Sequence, residues 1–158
     1  MNVTVGISEM GISTEPGETL ITYSLGSCVG LSLYDSVAGI GGLIHSMLPL
    51  SKIDPDKAGR SPCMFVDTGV PALLNAMFAL GAQKKNLVAK VAGGSHIMDD
   101  KGIFNIGERN YTILRKLLWK NNILVSGEDV GGSVPRTMSL QMDSGKTILK
   151  ISGREVEL

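Results

Sequence analysis

The segment from Thr19 to Met47 constrains this chain more than any other. Three short apolar stretches follow one another there, Leu20 to Leu25, Val29 to Tyr34 and Ile40 to Met47, with Gly, Ser or Asp at each break. Leu31 and Leu33 around Ser32 alternate with the period of two that marks a strand with one buried face. The block therefore reads as consecutive strands. Its first break, Leu25-Gly26-Ser27-Cys28-Val29-Gly30, puts a cysteine on a glycine-flanked turn, and the next strand brings in His45, one of only two histidines.

A thiol and an imidazole on neighbouring extended segments are the parts of a nucleophile and its general base. A thiol near its free pKa is only slightly ionised at neutral pH and needs such a base. The histidine in turn needs a partner that fixes its tautomer, and the Thr22 hydroxyl, on the strand leading to Cys28, is the candidate. Gly26 and Ser27 are small enough to let backbone N–H groups near Cys28 converge on a developing oxyanion. Each residue alone also suits a plain structural role, the cysteine as a small buried hydrophobe and the histidine as a satisfied core group. The combination is what points to chemistry.

Beyond Met47 the pattern changes. Pro49, Pro55 and Pro62, with Asp54 and Gly59, read Leu50 to Pro62 as an exposed loop. Val66, Val70, Leu73, Leu74, Met77 and Leu80 fall on one helical face before Gly81 ends it. Leu87 to Val91 reads as a short buried strand. A second helix starts at about Gly107, with Ile113, Leu114, Leu117 and Leu118 as its apolar stripe and Asn121-Asn122 as its stop. Strands return at Ile123 to Ser126, Thr137 to Met142 and Thr147 to Ile151, the last two joined in hairpin style by Asp143-Ser144-Gly145. Many strands with two helices suggest an α/β layered domain.

Composition narrows the function. At 158 residues, with neither linker nor internal repeat, the chain suits one domain spanning 1–158. Fifteen basic and fifteen acidic residues leave no net field to draw in nucleic acid or an anionic membrane. No apolar run approaches the ~20 residues of a membrane-spanning helix, and the amino end lacks a secretory signal. The expected location is the cytoplasm, where Cys28 and Cys63 stay reduced.

The Leu25–Val29 block, with Gly41-Gly42-Leu43-Ile44-His45-Ser46-Met47-Leu48-Pro49, resembles the CheD family of chemoreceptor glutamine deamidases. The resemblance continues through Lys90-Val91-Ala92-Gly93-Gly94, Ile106-Gly107-Glu108-Arg109-Asn110 and Asp129-Val130-Gly131-Gly132 to Arg136, and so covers nearly the whole chain. It implies a cysteine hydrolase that converts glutamine side chains of methyl-accepting chemotaxis receptors into glutamate. Cys28 matches the nucleophile, His45 the general base and acid, and Thr22 the residue that orients the histidine. The implied fold is a single-domain three-layer α/β/β sandwich of mostly antiparallel or mixed strands with two main helices. Its catalytic core would be related to the deamidase domain of the cytotoxic necrotizing factor toxins. Neither metal nor organic cofactor is implied. A CheC-type response-regulator phosphatase is implied as a partner, and Phe104, an apolar ring on an expected loop, is the candidate contact.

Other residues are weighed against simpler roles. Ser95-His96 departs from the commoner family pattern, in which a small residue such as Ala follows the two glycines. His96 is therefore a conceivable second base, but a solvent-facing or packing histidine is the better reading. Cys63 is outside the motif and structural. Asp99-Asp100 lack a further ligand at useful spacing and read as a solvated loop. Gly93-Gly94 and Gly131-Gly132 lack the Lys and Ser/Thr of a phosphate loop and read as tight turns. Arg109 and Arg136 are expected to hold loops by pairing with Glu108 or Asp129. Two alternatives to the deamidase stay open: a binding module that mainly regulates a CheC-type phosphatase, and a transglutaminase-like transfer through the same thioester.

Overall fold

The computed structural model describes residues 1–96 and 105–158. Among these residues, ten strands form two five-stranded sheets. The first holds β1 (Asn2–Thr4), β3 (Thr19–Leu25), β8 (Arg136–Gln141), β9 (Thr147–Ile151) and β10 (Arg154–Glu157) in that spatial order. The second runs β2 (Glu9–Ser13), β5 (Ile40–Ser46), β4 (Val29–Asp35), β6 (Leu87–Gly93) and β7 (Val125–Val130). All neighbours are antiparallel except β1 with β3 and β6 with β7. Two long helices, α2 (Val66–Ala79) and α3 (Ile106–Lys120), join a single-turn-and-a-half α1 (Pro55–Arg60).

The pleat of the second sheet sorts its residues between two hydrophobic clusters. Val29, Leu31 and Leu33 of β4, Ile40 and Ile44 of β5 and Val91 of β6 pack with Val70, Leu73 and Met77 of α2 and Leu114 and Leu118 of α3. The alternate positions face the other way, where Leu43 and Ala92 meet Leu20, Leu25, Met138, Leu140 and Leu149 of the first sheet. Strand β4 is thus covered on both faces, not one as its alternation suggests. Ser32, the polar member of that pattern, is buried and its Oγ lies 2.7 Å from Thr147 Oγ1 of the opposite sheet. A polar side chain that finds a partner inside keeps an amphipathic spacing without reaching solvent.

Several sequence expectations need correction. Leu50 to Pro62 is not a bare loop: Asp54 accepts from the Lys57 N–H at 3.1 Å and Pro55 occupies the first turn, so a capped helix starts there. Leu80 does not extend the buried face of α2: it caps the helix end just before Gly81 turns the chain at φ +113°, and is largely exposed. The strand expected at Ile123 to Ser126 starts at Val125 instead, since Asn122 at φ +57° and the Ile123 N–H bonded to Leu118 O form the stop of α3. The short strands β1, β2 and β10 carry too few apolar residues to announce themselves. No helix among the described residues is long and apolar enough to cross a membrane.

Candidate active site

Gly30 of β4 lies directly opposite His45 of β5, so both project to the side of the first sheet. A methyl group on Gly30 would press against Met138 and Leu25 there, which shows how tightly this layer is filled. His45 is fully buried in it, and its Nδ1 lies 2.7 Å from Thr22 Oγ1. Thr22 belongs to β3, so this hydrogen bond ties one sheet to the other. The β3–β8 register slips just after Thr22, with Ser24 at φ +58°, a bulge that lets the chain turn out of one sheet towards Cys28.

Cys28 sits on the bend before β4, half-buried against the inter-sheet cluster. Three successive carbonyls of this bend are tied down. Gly26 O accepts from Ser95 N–H at 2.9 Å, Ser27 O from Asn110 Nδ2 at 2.9 Å, and Cys28 O from Gly94 N–H at 2.8 Å. Among the described residues, the Ser27 and Cys28 N–H groups donate to none of the backbone carbonyls. Gly93 and Gly94 adopt φ +103° and +65°, and a side chain on Gly93 would run into the Cys28 carbonyl oxygen. Gly93 ends β6 and Gly94 follows it, not a tight turn as expected, and their lack of side chains admits the nucleophile bend at close range.

Burial sets the electrostatics. It pushes the Cys28 thiol above its ordinary value, with a smaller opposing effect from the residue's own N–H. It also holds the His45 imidazole down to about 4. Both groups are therefore neutral near pH 7, and His45 Nε2 is a buried ring nitrogen without a hydrogen-bond partner among the described residues. A neutral imidazole whose Nδ1–H donates to such a hydroxyl keeps its lone pair on Nε2, where it can accept a proton.

The other residues singled out in the sequence have varied surroundings. Cys63 is buried under α2, where its carbonyl accepts from Ser46 Oγ at 2.8 Å. His96 is exposed, and its backbone N–H donates to Gly132 O at 2.9 Å. Arg109 is exposed. Arg136 does pair with Asp129, Nε to Oδ1 at 2.8 Å, but it does more than hold a loop. Only 5% exposed, it also donates to Ser95 Oγ, Gly93 O and Gly131 O. Phe104, Asp99 and Asp100 lie outside the described residues.

Asn110 is the residue that sequence reasoning missed. It is fully buried on α3 and its Nδ2 donates to Ser27 O and to Met47 O, each at 2.9 Å. Its signal was available: an amide one turn ahead of Leu114, on the very stripe that faces the core.

Comparison with known proteins decides the family. The CheD family, described as CheD chemotactic sensory transduction, matches residues 47–151. The chain belongs to the CheD family. A relative from Syntrophus aciditrophicus (strain SB), named probable chemoreceptor glutamine deamidase CheD 1, is 48% identical over 96% of this chain and 95% of its own length. A CheD of the same description from Solibacter usitatus (strain Ellin6076) is 46% identical over 99% of this chain and 92% of its own. A third, from Moorella thermoacetica (strain ATCC 39073 / JCM 9320), is 39% identical over 99% of this chain and 94% of its own.

Proposed function

We propose that this CheD-family chain is a chemoreceptor glutamine deamidase that hydrolyses receptor glutamine side chains to glutamate and ammonia through a thioester on Cys28. The observation that carries the reading is the buried Thr22–His45 hydrogen bond, which leaves His45 Nε2 with no partner among the described residues, on the strand paired with the one that leaves the Cys28 bend. The names of the relatives supply the substrate class.

Thr22 Oγ1 accepts from Nδ1–H, which leaves the lone pair of His45 on Nε2. The Cys28 thiol proton moves to Nε2 as Sγ bonds to the carboxamide carbon, so base and nucleophile act together without a standing ion pair. The Ser27 and Cys28 N–H groups, with Gly26 and Ser27 offering no bulk, hold the oxyanion. The imidazolium then gives its proton to the amide nitrogen, the C–N bond breaks and ammonia leaves. Water attacks the thioester as Nε2 takes its proton, the C–S bond breaks, and glutamate and thiol are restored. The scheme calls for neither metal nor organic cofactor.

The same reading treats 1–158 as one domain in three layers, helices on a sheet on a sheet. It is supported by the two clusters on opposite faces of the second sheet. It places the chain in the cytoplasm with the receptor helices, and with a CheC-type phosphatase as the partner that the resemblance implies.

The test is ammonia release from a receptor cytoplasmic fragment, paired with acid-quenched intact mass. The reading expects release, and a transient adduct confined to the Cys28 peptide. Undiminished release from Cys28→Ala would overturn it.

A further inference from the structure

Two chain segments must be held together for the proposed chemistry, the bend carrying Cys28 and the strand carrying His45. One side chain from a third element reaches both. Asn110 Nδ2 donates its two hydrogens to Ser27 O, immediately before the nucleophile, and to Met47 O, two residues past the base. Two carbonyl partners fix which end of the amide is nitrogen, because only the NH2 group can donate. Gly107, one helical turn earlier, has no room for a side chain: a Cβ there would strike Gly94 O and Ser95 O. The α3 backbone thus lies against the very turn whose N–H groups bind Gly26 O and Cys28 O, and this approach brings Asn110 within reach.

Stability alone does not account for an asparagine here. It is a poor helix former, and its Oδ1 is buried without a partner among the described residues. An apolar residue would leave no such orphan on α3, though it would leave Ser27 O and Met47 O without this donor. We propose that Asn110 is a positioning residue of the deamidase, clamping the Cys28 bend to the end of the His45 strand so that thiol and imidazole stay in register. This rests on the Cys28–His45 reading above.

The experiment follows Cys28 itself: the rate of iodoacetamide alkylation of the Cys28 peptide against pH, by mass spectrometry, for wild type, Asn110→Ala and His45→Ala. Receptor deamidation kinetics accompany it. The expected result for Asn110→Ala is a kcat at least tenfold lower with KM changed less than threefold, and an alkylation profile displaced towards that of His45→Ala. Asn110→Ser, which keeps one donor, should fall between, and serves if the alanine variant does not fold. If His45→Ala shifts the profile while the folded Asn110 variants keep the wild-type profile and kcat, the clamp is wrong and the thiol–imidazole pair stands. If His45→Ala leaves both the profile and kcat unchanged, the pair itself fails and the clamp falls with it.

Discussion

Thr22 Oγ1 and His45 Nδ1 lie 2.7 Å apart across the interface of the two sheets, both residues wholly buried. Removing the hydroxyl strands Nδ1 in an apolar layer and frees the ring to take the wrong tautomer. Thr22→Val, equal in size, should therefore lower kcat by roughly tenfold to a hundredfold, the loss of a buried hydrogen bond worth about 1–3 kcal/mol. Thr22→Ser should keep most of the activity. Steady-state kinetics of the two variants check this, and a valine variant with wild-type kcat would remove Thr22 from the mechanism.

The buried imidazole predicts a pH dependence of defined sign. His45 is held down to about 4 in the fold, whereas the unfolded chain titrates at the ordinary value near 6.5. Between those values the unfolded state binds the proton and the folded state does not, so stability is full above 6.5 and declines as pH falls towards 4. The loss from this one group is on the order of 3 kcal/mol. Urea unfolding from pH 7 to pH 4 should show it, and His45→Gln should flatten that part of the curve. For catalysis, the acid limb of kcat/KM should lie well below 6.5.

Gly93 and Gly39 offer a matched pair. Both have positive φ, +103° and +69°, but nothing lies within 4 Å of a Cβ on Gly39, whereas one on Gly93 would meet the Cys28 carbonyl. Gly39→Ala should cost only the backbone strain, about 1–2 kcal/mol, with activity intact. Gly93→Ala should cost more and should also lower kcat, because the Cys28 bend must move. Thermal unfolding and kinetics of both variants separate strain from displacement.

Arg136 should behave as a buried knot. It serves Asp129, Ser95 Oγ and two carbonyls at once, a fan of donors that an ammonium cannot reproduce. Arg136→Lys is expected to cost about 2–4 kcal/mol by denaturant unfolding. Asp129 is over a third exposed, so Asp129→Asn should cost no more than about 1 kcal/mol.

The central strands, both long helices and the residues of the proposed Cys28–His45–Thr22 site were legible because each rests on local pattern. Leu31 and Leu33 alternate, Leu114 and Leu118 recur at helical spacing, and a glycine-flanked cysteine precedes a histidine strand. What escaped depends on distant partners. Ser32 looks solvent-facing until Thr147 arrives from the other sheet. Asn110 looks like an error in an apolar stripe until the Ser27 and Met47 carbonyls meet it. The helix at Pro55–Arg60 hid behind prolines and a glycine that also suit loops.

The account stands most directly on what becomes of receptor glutamines. A receptor cytoplasmic fragment from the same organism, incubated in parallel with wild-type protein and with folded Cys28→Ala, should show by peptide mass spectrometry a conversion of particular glutamines to glutamate with the wild type alone. Conversion of the same glutamines by Cys28→Ala, or none with either protein, would contradict it.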